Sequence, residues 1–233
     1  MTEAFEQFRR DVDFMWREAT SLWTTQAVVR GKLERAEVAM LTLQMYHYVK
    51  HTVPVFRDAL AKAPSGDQHE PLRQMLGFFA LDEDGHDQIA LRDLEALGYD
   101  AEACMRTLPL PTTLNLHGAN TLGIAEYGPY YLVGETYATE TVGAEMSAAI
   151  HRSLASREEL RDGIRFYDVH GEADVLHAAK SVEVLTYALE TTENRRPIVL
   201  GCLTAWRNLS QLAAEIPKAR LYPAEFQLPP RSP

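Results

Sequence analysis

The chain has 233 residues, 46% of them hydrophobic and 24% charged, which is enough apolar material to bury a sizeable core and argues against global disorder. A formal net charge of −10 argues against nucleic-acid and anionic-membrane partners, since both carry negative charge. The widely spaced Cys104 and Cys202 do not indicate a disulfide scaffold, the acidic opening has no apolar signal core, and no apolar run approaches the roughly 20 residues of a membrane helix, so a cytoplasmic protein is expected.

Apolar residues recur at a helical period along most of the chain, with no sustained two-residue alternation. A first helix is expected over residues 2–29, with Phe5, Phe8, Val12, Met15 and Leu22 near one stripe and Gly31 closing it. A second covers 34–62, kinked or split by Pro54. After a turn over 63–67, a third spans 70–97 and stops at Gly98. The stretch 107–112 is proline-broken and extended, and the segment from there to Gly128 reads ambiguously. A fourth helix runs over 129–154 with Pro129 at its start, and a fifth over 158–191 with Ser156 as its cap. Asn194 and Pro197 open a sixth that ends near Ala214. The expectation is an all-α chain, a single-domain bundle of six to seven helices over 1–216, followed by a proline-rich tail over 217–233 that wraps the surface or stays disordered.

The most informative segment contains His170, Asp174 and His177. Steps of four and three residues add to nearly two helical turns, so the three side chains form a row on one face. Nitrogen and oxygen donors together suit iron, manganese or zinc better than calcium or magnesium. In the third helix, Glu83 and His86 stand three apart, a geometry used by helical dimetal sites. Asp82, Glu83 and Asp84 repel one another unless a cation neutralises them. Gly85, mid-helix in this reading, costs about 1 kcal/mol against alanine, a cost that close approach of backbone or substrate would explain. The fourth helix offers Glu135, Glu140 and Glu145, and the small and apolar neighbours of Glu140 make it the expected inward-facing acid. Read without a metal, each of these rows is a solvated acidic face. His47 and His51 are a metal pair by spacing but more often half-buried core or supporting residues, while His69 and His117 fall in expected loops and His151 on an exposed face.

At these residues the sequence resembles the haem-oxygenase-like dimetal oxidases and oxygenases, over about residues 33–212. His170, Asp174 and His177 match the His-x3-Asp-x2-His of that family's third core helix, and Glu140 stands thirty residues before His170, where the middle core helix supplies a glutamate. Glu83 and His86 match the first core helix, with one departure. Many members place six residues between that glutamate and histidine, whereas the corresponding earlier position here is Phe79. The Glu-x-x-His form looks like the branch that decarboxylates medium-chain fatty acids to terminal alkenes.

The resemblance implies a non-haem diiron site built from Glu83, His86, Glu140, His170, Asp174 and His177, with two irons per chain and dioxygen as co-substrate. Activity is expected to depend most directly on Glu140 and His170, and Glu145 to be dispensable. The implied substrate is a small molecule bearing a carboxylate, a free aliphatic amino acid first and a fatty acid second, with Lys180 or Arg196 as its expected counter-charge. A homodimer is compatible with the resemblance. A ferritin-like diiron bundle, which needs two Glu-x-x-His motifs where this sequence has one, a metal-free helical enzyme, which in the thiaminase-like form needs an activated cysteine, and a non-enzymatic interaction protein are the competing readings.

Overall fold

The computed structural model describes residues 2–25 and 33–230. Among them run ten α-helices and no strand: α1 (Glu3–Thr25), α2 (Arg35–Val49), α3 (Thr52–Lys62), α4 (Glu70–Asp82), α5 (His86–Ala96), α6 (Ala101–Met105), α7 (Pro111–Tyr127), α8 (Tyr130–Leu154), α9 (Arg165–Ala188) and α10 (Thr192–Glu215). The all-α expectation holds. The count exceeds six to seven because two expected long helices each break in two and two further helices fill the segment between residues 101 and 127.

Local chemistry sets most of these boundaries. Glu34 and Glu37 form a reciprocal capping box at the start of α2. The expected break near Pro54 falls just before it, at Lys50 and His51, and leaves Pro54 in the first turn of α3, where its missing N–H has no helical partner to lose. Asp100 caps α6 by accepting from the Ala103 N–H at 2.9 Å. Thr191, rather than Asn194, caps α10, and Pro197 lies inside that helix. The α9 boundary departs furthest from expectation. The helix begins at Arg165, with Asp93 of α5 accepting from the Phe166 N–H at 2.7 Å in place of a local cap at Ser156. The expected end of the first helix at Val29, its closure at Gly31, the Leu22 side chain and residues 231–233 lie outside the described residues.

α8 is the central strut, packed chiefly on α9 and α10 and also on α7 and α1. Its contact with α10 is backbone to backbone: a Cβ on Gly134 would lie 1.9 Å from the Ile198 carbonyl oxygen, and one on Gly201 would lie 2.1 Å from that of Tyr131. Phe5 and Phe8 of α1 pack against Tyr137 on the same helix. α4 and α5 lean on α9 from the other side. Beyond α10 the tail continues as two short 3-10 turns, its Tyr222, Phe226 and Leu228 lie against the core, and Pro230 bridges to Tyr99. No helix among the described residues is long and apolar enough to cross a membrane.

Candidate metal centre

Glu83 and His86 come from the junction of α4 and α5, not from the interior of one helix. Glu83 is the residue just past α4, His86 opens α5, and Gly85 between them has φ 88°. In that left-handed region a side chain is strained, so glycine is required by conformation. The expected reason, close approach of backbone or substrate, does not apply, because a Cβ on Gly85 would meet nothing within 4 Å. The turn brings the pair together, with His86 Nδ1 3.0 Å from Glu83 Oε2.

α9 presents His170, Asp174 and His177 as a buried row. His170 Nδ1 lies 2.8 Å from the Phe166 carbonyl oxygen, an acceptor that assigns the ring proton to Nδ1 and leaves Nε2 with a bare lone pair. That Nε2 is buried without a hydrogen-bond partner. His177 Nδ1 lies 3.1 Å from Glu140 Oε2 and 3.3 Å from Glu83 Oε1, and its Nε2 lies 2.8 Å from Asp82 Oδ2. The Asp174 carboxylate has room because α8 carries glycine opposite it: a Cβ on Gly143 would stand 2.1 Å from Asp174 Oδ2.

Two donor groups result, Glu83 with His86 and His170, and Glu83 with Glu140 and His177, each with its ligand atoms within 4.8 Å of one another. They share Glu83. Asp174 falls outside both groups by that spacing but interacts with Glu140. Burial pushes Glu140 well above the usual carboxylate range, reinforced by the charge of Glu83, and pushes Asp174 well above it too, reinforced by Glu140. Burial also lowers His170 to about 4, keeping its imidazole neutral at pH 7. Burial alone would raise Glu83, but the hydrogen bond and charge of His86, together with His170 and His177, hold it below the ordinary carboxylate value. These carboxyls cannot all ionise together unless positive charge joins them, and the unpartnered Nε2 lacks an electron-pair acceptor. The residues fit bound cations, and mixed imidazole and carboxylate donors suit iron.

A cavity of about 120 Å³ reaches this cluster, touching Glu83, Glu140, His170 and Asp174. Its remaining wall is mostly apolar, including Leu41, Met45, Val55, Phe56, Leu132, Met146 and Ile150. Residues 40–209 match the family described as iron-containing redox enzymes.

The chain belongs to this family of iron-containing redox enzymes.

Solved structures with the same architecture include a domain of unknown function with a haem-oxygenase-like fold from Shewanella denitrificans, 23% identical, covering 93% of each chain at a TM-score of 0.78. A TenA homologue from Pseudomonas syringae aligns over 93% of each chain at 13% identity and a TM-score of 0.78. A TenA family transcription regulator from Silicibacter aligns over 91% of this chain and 96% of that one, at 16% identity and a TM-score of 0.69. At these identities they establish the haem-oxygenase-like fold alone. A comparison with curated proteins gave no match.

Several residues of this iron-containing redox enzyme differ from their sequence expectations. Glu135, ranked below Glu140 as an inward-facing acid, is the more buried of the two at 2% exposure, whereas Glu145 is exposed. Asp82, read only as part of an acidic run, faces His177. Phe79, at the departure from the six-residue spacing, packs edge-on against the His177 ring with centroids 4.9 Å apart. His117 lies on α7 rather than in a loop, stacks on His51 and lines the cavity with it. His47 is buried and bonded to Thr107, away from the cluster. Lys180 pairs with Glu183 and Arg196 is exposed, and neither lines the cavity. Cys104 and Cys202 are buried outside the cavity wall, with burial raising Cys104 to about 11 and Cys202 well above the usual thiol value, conditions opposite to those of a nucleophile.

Proposed function

We propose that the protein is a non-haem oxidase or oxygenase that uses two irons per chain and dioxygen to oxidise a small carboxylate-bearing molecule, with a free aliphatic amino acid as first candidate. The observation that carries this reading is the pair of three-donor groups meeting at Glu83. Glu83, His86 and His170 would hold one iron, and Glu83, Glu140 and His177, with Asp174 beside them, the other. When bound, the irons supply redox chemistry with dioxygen.

The chain's own residues orient the donors and shape the chamber. The Phe166 carbonyl holds the His170 proton on Nδ1, Asp82 braces His177, and the apolar wall excludes water from the cluster. No lysine or arginine lines the cavity among the described residues, so charge complementarity for a substrate carboxylate falls to bound cations. The same apolar wall supports a second reading, a fatty-acid oxidative decarboxylase.

Anaerobic titration with iron(II), followed by desalting and metal analysis, tests the proposal. About two irons per chain are expected for the wild type. Glu83→Ala should lose both, since it removes the shared donor, while circular dichroism shows the helices intact. A wild type that retains no iron, or a Glu83→Ala variant that still retains two, overturns it.

A further inference from the structure

One polar patch in the cavity is left unused by the metal cluster. Glu135 is almost fully buried, and its two hydrogen-bond donors fall on one oxygen: the Tyr48 hydroxyl at 2.6 Å and Asn120 Nδ2 at 3.0 Å, each to Oε1, while the Thr136 hydroxyl lies near the same carboxylate without closing a hydrogen bond of good geometry. Asn120 and Thr136 are 4% and 1% exposed, and Asn120 Oδ1 and the Thr136 hydroxyl have no hydrogen-bond partner. Those two atoms and His170 Nε2 are the orphaned buried side-chain polar atoms among the described residues, and all three belong to residues lining this cavity. The Thr136 orphan is a local exception, because Thr139 and Thr141 on the same helix return their hydroxyls to backbone carbonyls.

The chemistry of the patch selects its occupant. Because Asn120 donates its amide nitrogen to Glu135, its oxygen is the atom left over. Glu135, Asn120 Oδ1 and the Thr136 hydroxyl are therefore three acceptors in one apolar chamber, one of them acidic. An alkylammonium carries three N–H donors and one positive charge. Burial raises the Glu135 pKa, and a neighbouring ammonium would favour its ionised form, whereas a carboxylate placed here would oppose that ionisation and leave the acceptors unsatisfied. We propose that Glu135, Asn120 and Thr136 bind the ammonium group of an aliphatic amine or amino acid, a substrate class that rests on the cavity being the substrate chamber of the proposed oxidase. Tyr48 and Asn120 steady the Glu135 carboxylate, and the substrate's alkyl body lies along the apolar wall.

Binding calorimetry on the full-length chain, both iron-loaded under argon and metal-free, tests this with three probes of matched length: L-norleucine, n-hexylamine and hexanoate. The wild type is expected to bind both amines, with n-hexylamine at least about ten-fold tighter than hexanoate in the metal-free chain. Glu135→Gln keeps the side-chain shape and should weaken both amines at least about thirty-fold, as expected when a buried charge pair loses one partner, while hexanoate should bind as well as or better than to the wild type. Thr136→Val, which keeps the volume and removes only the hydroxyl, should weaken the amines about three- to ten-fold, and it decides the matter if Glu135→Gln fails to fold. Failure of the wild type to bind either amine, a preference for hexanoate in the metal-free chain, or an amine preference unchanged in a folded Glu135→Gln variant overturns the proposal. So does a Glu135→Gln variant that loses iron but keeps its amine preference, because Glu135 would then serve the metals. Amine selectivity in a chain that takes up no iron would sustain this site while removing the oxidase reading.

Discussion

The single atom that says most about the site is His170 Nε2. An imidazole whose Nδ1 is committed to the Phe166 carbonyl and whose Nε2 is buried without a partner is arranged as a ligand, since an unmet acceptor in the interior costs about 1–3 kcal/mol. The absent side chain at Gly143 is its counterpart on α8. That position looks like a helix-propensity defect until Asp174 Oδ2 is found 2.1 Å from where a Cβ would stand. Gly143→Ala should therefore push the Asp174 carboxylate out of place and weaken iron binding about 10- to 100-fold, the range seen when groups supporting metal ligands are disturbed, without loss of helicity. Competition with a calibrated chelator would read the change, and an unaltered affinity would remove Asp174 from the site.

Glycine also decides how the elements meet. α8 and α10 approach so closely at Gly134 and Gly201 that neither tolerates a Cβ without a backbone shift. Gly201→Ala should destabilise the protein by about 1–3 kcal/mol, overpacking outweighing the gain of up to about 1 kcal/mol in helix propensity. Gly118 is the control: it is exposed on α7 with nothing within 4 Å of its Cβ position, and alanine there should stabilise by about 0.5–1 kcal/mol. Urea midpoints of the two variants should move in opposite directions. Sequence patterning cannot separate them, since both are glycines inside helices and only the neighbouring chain distinguishes them. Helical identity was legible because the apolar period is local. The break at Gly85 was not, because an acidic helix face and a turn that points Glu83 and His86 inward have the same spacing.

At the scale of the whole molecule, the legible part of the site was the part written as spacing, namely the row on α9 and the Glu83–His86 pair. Glu135 and Asp82 were hidden because their partners, Tyr48, Asn120 and His177, are supplied from remote segments. Asp93 is hidden in the same way and has a consequence for global stability. It is 2% exposed, joins α5 to α9 across 73 residues of chain, and is held up at about 6 chiefly by burial, against an ordinary value of 3.8, even though the Phe166 N–H favours its charged form. A carboxyl whose folded pKa is raised binds its proton more tightly in the folded chain than in the unfolded one. Its contribution is therefore fully present below about pH 4 and is lost as pH rises through about 6, with an upper limit of about 3 kcal/mol for a shift of about two units. Asp93→Asn removes this titration while leaving an oxygen to accept from Phe166. Urea unfolding of the metal-free chain between pH 4.5 and 7.5 should show wild-type stability declining relative to the variant as pH rises. Parallel curves for the two proteins would mean that the burial of Asp93 is not felt in its protonation, and the long-range cap would then be an ordinary charged one.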